Sequence, residues 1–203
     1  MEVTSMKDHN QYPTFDVMEE STKWDVHTRS IVNARLIREH AYGYVTVVEA
    51  ETLRAWCSLL MDDHRGEIIQ YVINHIDQVL SENKGEGHRK VSTPPVRLLL
   101  RQGLKAIDET GWLANSQPFF QLDESNQRSI MIQISNDNYP PTKNWEGILQ
   151  KILFQKLLQL CVEAYYAHPL VWSEIGFGGP AYPRGYTLAS PDQLESWEAA
   201  KRS

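Results

Sequence analysis

The sequence predicts an all-α protein, a compact bundle of about five helices with an extended N-terminal arm and an irregular, Gly/Pro/aromatic C-terminal segment. Three observations predict it. Apolar residues recur at three- and four-residue steps along separate stretches of the middle of the chain. No stretch alternates apolar and polar residues long enough to read as a strand. Clusters of Gly, Pro, Asn and Asp separate the helical stretches. The 203 residues, 41% hydrophobic and 23% charged, suit one sizeable core. The organisation read from them is a polar arm over 1–44, a helical domain over 45–186 and a polar tail over 187–203.

The arm is acidic, carries the scattered aromatics Tyr12, Phe15 and Trp24, and shows no sustained period. It is therefore not expected to build a core element. The spacing of Leu53, Trp56, Cys57 and Leu60 predicts a first helix over 48–61, closed by Asp62, Asp63, His64 and Gly66. A second is predicted over 67–81 from the stripe Ile69, Val72, Ile73, Ile76 and Leu80, and the stretch ENKGEGHRKVSTPP after it reads as an exposed loop. A third is expected over 95–110, with Pro95 in its first turn, Val96, Leu99, Leu100, Leu104 and Ile107 inward, and Gly111 at its exit. Asp123 suits an N-cap, so a fourth helix should follow it with Ile130, Met131 and Ile134 inward. The longest helix is expected over 144–167, with Ile148, Ile152, Leu157, Leu158, Cys161 and Tyr165 on its apolar side and Pro169 ending it. A short turn over 170–175 then leads to Gly176.

Composition excludes several function classes. A formal net charge of −6 argues against nucleic acid as a partner, because a phosphate-binding surface is ordinarily basic. No apolar run is long enough for a membrane span. The first thirty residues hold Asp8, Asp16, Glu19, Glu20 and Asp25 without an apolar stretch, so a cytoplasmic location is expected. The two cysteines, Cys57 and Cys161, fall in apolar stripes and read as buried thiols.

The sequence carries none of the usual motifs for unaided chemistry. A di-iron bundle needs Glu three residues before His, but the residues at that offset are Met6, Trp24, Ile37, Met61, Val72, Gly85 and Tyr165. HExxH and GxSxG are absent, and Gly176-Phe177-Gly178-Gly179 follows a helical stretch, the wrong context for a dinucleotide loop. Asp62-Asp63-His64 could support acid–base chemistry, but reads instead as a solvated inter-helix turn whose polar groups satisfy free helix ends. No catalytic, cofactor-binding or metal residue is assigned on this basis.

What stands out is YYAHPLVWSEIGFGGPAYPRGY over 165–186. Its prolines restrict the backbone and its glycines permit tight turns, so rings can be displayed without regular hydrogen bonding. Tyr, Trp and Arg dominate binding hot spots. Tyr165, Tyr166, His168, Trp172, Phe177, Tyr182, Arg184 and Tyr186 are accordingly the candidate partner-facing residues, the plainer alternative being a local core over the chain's own helices.

The order of TVVEAETLRAWCSLL, GEIIQYVINHIDQVL, RQGLKAIDE, PFFQLDESNQRSIM and the terminal aromatic block resembles the gluconate 2-dehydrogenase subunit 3 family, over roughly 45–186. The resemblance implies a non-catalytic accessory subunit that supports the maturation of a flavin-dependent sugar or sugar-acid dehydrogenase of the glucose-methanol-choline type. FAD is then expected in the large partner subunit and not in this chain, with a cytochrome as a further partner in some complexes. Many members carry a twin-arginine export signal, whereas Arg29, Arg35 and Arg38 here stand apart. Export would then rest on a signal in the partner. Many relatives also have an Ile-Pro turn where this chain reads Leu60-Met-Asp-Asp-His-Arg. Two other readings stay open on the residues alone: a small metal-binding enzyme using Asp62, Asp63, His64 and His75, and a self-associating structural protein.

Overall fold

The computed structural model describes residues 12–37, 41–82, 94–140, 143–180 and 197–199. All regular structure among them is helical, which agrees with the all-α expectation. The chain divides into two compact units, His40–Ala164 and a second made of Met1–Glu39 with Tyr165–Ser203.

The larger unit holds helices α2 (Val47–Met61), α3 (Gly66–Glu82), α4 (Val96–Asn115), α5 (Glu124–Ser135) and most of α6 (Gln150–Tyr165). Helix α2 starts on a capping box: the Thr46 hydroxyl accepts from the Glu49 amide, and the Glu49 carboxylate accepts from the Thr46 amide at 2.7 Å. Asp62, in the left-handed region at φ 51°, closes it. The α3 stripe of Ile69, Val72, Ile73, Ile76 and Leu80 is buried throughout, as its spacing predicts. Asp77 is buried on the same helix and accepts from the backbone amides of Gly43, Tyr44 and Val45, each at 2.8 Å. It thereby fixes the chain that enters the α2 cap.

Helix α4 runs five residues past the expected end. Gly111 is an interior packing position: a Cβ there would lie 2.6 Å from the Gln117 carbonyl oxygen and the Phe119 amide nitrogen. The exit falls instead at Ser116, φ 54°. Asp123 caps α5 as expected, accepting from the Asn126 amide at 2.9 Å, and Ile130, Met131 and Ile134 are buried.

The expected long helix over 144–167 is two elements. Lys143–Trp145 is a 3-10 turn, Gly147 takes φ 73°, and α6 begins only at Gln150. The break has a physical cause. The Trp145 indole donates to Thr110 Oγ1 at 3.0 Å, and the Gln150 side chain makes two 3.0 Å bonds with the backbone of Tyr139. These anchors fold 143–150 back against other segments and prevent a straight helix. Of its expected apolar side Leu157, Cys161 and Tyr165 are buried, joined by Leu153, Leu160 and Ala164, whereas Leu158 is partly exposed.

Trp56 lies at the centre of this unit, its ring 5.9 Å from Phe119 and 6.0 Å from Phe154. Full burial of such a ring contributes about 3 kcal/mol or more relative to an alanine.

The smaller unit contains a 3-10 turn at Val17–Lys23, α1 (Val26–Ala34) and α7 (Pro169–Ile175). No helix was expected before residue 48, so α1 is a departure from the sequence reading. Asp25 caps it by accepting from the amides of His27 and Thr28, and bonds from Thr28 hold the Asp25 carboxyl below its ordinary value. Val17, Trp24, Val32 and Trp172 form a cluster of their own, with Phe15 and Met18 against it. Residues 83–93, most of the expected exposed loop, lie outside the described residues. So does the tail over 187–203, apart from 197–199.

Candidate interaction surface

The aromatic C-terminal block is organised around α7. Pro169 suits the first helical position because its fixed φ is helical and it has no amide proton to leave unpaired. His168 is the cap, with Nδ1 accepting from the Leu170 amide at 3.3 Å, so that nitrogen is unprotonated in this geometry. Gly176 ends α7 at φ 72°, where a Cβ would come within 2.5 Å of the Tyr12 ring. Glycine is required there for both reasons.

Trp172 locks the block in place. Its indole nitrogen donates to the Tyr166 carbonyl at 2.6 Å, and its ring meets Phe177 edge-on at 5.3 Å. The Arg35 guanidinium sits 5.1 Å over the same ring and also donates to the Ala167 carbonyl at 2.8 Å. Ser173 Oγ accepts from the Val17 amide at 3.1 Å and donates to the Pro169 carbonyl at 3.1 Å. Residues 165–180 are thus held as a rigid platform on the first turns of the chain.

The candidates divide cleanly. Tyr165, His168 and Trp172 are buried within this unit, where they hold the platform together. Tyr166 and Phe177 point outward, 49% and 41% exposed. Tyr182, Arg184 and Tyr186 lie outside the described residues. The structure adds Ile175 and Leu170, 49% and 37% exposed, which the sequence reading had not singled out. Leu170 lies in α7 and Phe177 follows its left-handed exit at Gly176, so no helical spacing in the sequence links the two. The result is a group of large apolar side chains left partly exposed beside the buried cluster of this unit.

The residues considered for acid–base chemistry have structural partners. Asp62 closes α2 and accepts from Arg128 at 3.1 Å, Asp63 is buried and paired with Arg65 at 2.6 Å, and His64 is exposed. His75 lies against the Tyr71 ring, 6.5 Å between centroids. Among the described residues no three His, Cys, Asp or Glu side chains converge as metal ligands, and no helix is long and apolar enough to cross a membrane.

Comparison with known proteins places this architecture. No curated protein and no solved structure matches the chain. The sequence profile described as gluconate 2-dehydrogenase subunit 3 matches residues 48–179, well over half of the chain and all of the ground from α2 to the turn after α7. The chain therefore belongs to the gluconate 2-dehydrogenase subunit 3 family, a family of subunits of a dehydrogenase complex.

Proposed function

We propose that this chain is the small, non-catalytic subunit of a flavin-dependent dehydrogenase of the glucose-methanol-choline type, and that it docks on the large subunit through the partly exposed group Tyr166, Leu170, Ile175 and Phe177. The observation that carries the proposal is the combination of family membership with this group. Among the described residues Trp172 and Trp24 are buried in the unit's own core, while Tyr166, Leu170, Ile175 and Phe177 stay partly exposed. Large apolar and aromatic side chains on a rigid base suit the centre of a permanent interface, because little side-chain freedom remains to be lost on binding.

In this reading the large subunit binds FAD and oxidises a sugar or sugar acid, and in some complexes a cytochrome accepts the electrons. The small subunit contributes by covering apolar surface on its partner during maturation. It folds in the cytoplasm, and any export follows a signal on the partner.

Co-expression with the flavoprotein encoded beside it tests the proposal. A yellow complex containing both chains is expected, with the isolated small chain colourless. Recovery of a soluble, fully flavinated large subunit at unchanged yield without this chain would overturn it.

A further inference from the structure

Glu51, Arg54 and Ser58 recur at i, i+3 and i+7 on α2, so they share one face of that helix. Glu124 and Gln127 share a face at the start of α5, and the 3-10 turn Phe119–Gln121 packs on α2. Together these elements line a groove of about 350 Å³ that belongs wholly to the larger unit. Leu59, Leu122 and the half-buried Phe120 give it apolar surface. Beside that surface stand polar groups with unused hydrogen-bonding capacity. Ser58 is only 8% exposed, yet its hydroxyl bonds to none of the described residues. Gln127 is 7% exposed; its Nε2 donates to the Phe119 carbonyl at 2.9 Å, and no described residue donates to its Oε1. A hydroxyl or amide oxygen buried to this degree ordinarily has a partner. Arg54 is held by Glu51 and by a 2.6 Å bond from Nη2 to Gln70 Oε1, which leaves Nη1 as a further donor. Charge on the lining is already matched: Glu51 pairs with Arg54, and Glu124 accepts from Arg128 at 2.6 Å.

We infer that this groove is a binding site for a neutral carbohydrate the size of one hexose ring. The unused groups are a hydroxyl that can donate or accept, an acceptor and a donor, set beside an apolar wall. A sugar ring answers that set. Each of its hydroxyls both donates and accepts, so one molecule can satisfy Ser58, Gln127 Oε1 and Arg54 Nη1 together, while its C–H face packs on Phe120 and Leu122. With His64 neutral, no unpaired charge among the described residues lines the groove, so an ionised ligand would lose hydration without gaining an ion pair. The volume lies at the small end of the range for small-molecule sites, which suits one ring and not an extended segment. Ser58 gains most from such a ligand, because its hydroxyl then makes the bond that the fold does not supply. The site uses none of Tyr166, Leu170, Ile175 and Phe177, and it is independent of whether the partner is a flavoprotein.

The test titrates the full chain, labelled with nitrogen-15, with glucose and follows its amide resonances. Saturating shifts are expected at Ser58, Leu59, Phe120, Leu122 and the Gln127 side-chain amide, with a dissociation constant on the order of 1–10 mM. Gluconate, at matched ionic strength, should bind at least about 5-fold more weakly. Ser58→Ala should keep the amide spectrum and melting temperature of the wild type, since the hydroxyl has no partner in the fold, and should weaken glucose binding about 5-fold or more. Ala55→Gln, which fills the groove from the half-buried position one turn before Leu59, should abolish the saturating shifts. Should that variant fail to fold, Ser58→Ala decides the matter alone. No saturation by about 100 mM glucose, gluconate binding as tightly as glucose, or unchanged glucose affinity in folded Ser58→Ala would each overturn the inference. So would N-acetyl-leucinamide shifting the same resonances at lower concentration than glucose, which would make the groove a seat for a peptide segment instead.

Discussion

Gly103 and Gly111 are on the inner face of α4, and neither serves as a hinge. At Gly103 a Cβ would come within 2.4 Å of both methyls of the buried Leu153, so the missing side chain is what lets α6 approach α4. Gly103→Ala is expected to lower stability by about 1–3 kcal/mol despite the better helix propensity of alanine, because Leu153 must leave its rotamer. Leu153→Val in the same background should recover part of the loss, and urea denaturation of the single and double variants checks both. Gly111 looked like a helix exit because a glycine after an apolar stripe is the usual C-terminal signal. Its role is legible only once the 117–119 backbone is known to cross there. Asp123 was legible for the opposite reason: its bond to the Asn126 amide is local in sequence. That amide holds the Asp123 carboxyl below its ordinary value. A carboxyl depressed in the folded state stabilises the fold above its unfolded value of about 3.9, and the contribution disappears as pH falls through the folded value. The melting-temperature gap between wild type and Asp123→Ala should therefore hold constant above about pH 5 and shrink below about pH 4.

Among the elements, α3 carries both the clearest stripe and the least expected anchor. Its apolar positions were readable because five large residues keep one face without competitors. Asp77 was not, since a carboxylate on that face contradicts the pattern until its three backbone donors at 43–45 are seen. Asp77→Ala would leave those amides without their acceptor in a region where Val45 is buried, at a cost of about 2–4 kcal/mol. Asp77→Asn, which keeps one acceptor oxygen, should fall between, as judged by urea denaturation at neutral pH. Helix α6 shows a different limit. Leucines stand on both of its sides, so Leu157 and Leu158 were equally good choices, and only packing selects Leu153, Leu157 and Leu160. The break before it follows from Trp145 and Gln150 reaching segments that precede them by more than ten residues.

For the whole molecule, the smaller unit explains why the ends of the chain were the hardest to read. Its core joins Val17, Trp24 and Val32 to Trp172 across most of the sequence, and its helices are too short for a period to emerge. The same distance hid which of the C-terminal rings are structural: Trp172 is buried because Val17, Trp24 and Arg35 meet it. The platform they form predicts a separation of roles. Trp172→Ala should destabilise by about 3–5 kcal/mol through loss of a buried ring. Tyr166→Glu with Ile175→Glu should leave the melting temperature within a few degrees of wild type, as expected for exposed positions. Affinity of the purified wild-type and Tyr166→Glu/Ile175→Glu chains for the flavoprotein large subunit is the most direct measurement of the central claim. The account predicts a loss of at least about 30-fold, equivalent to about 2 kcal/mol, with the fold intact. Unchanged affinity for a folded double variant would contradict it.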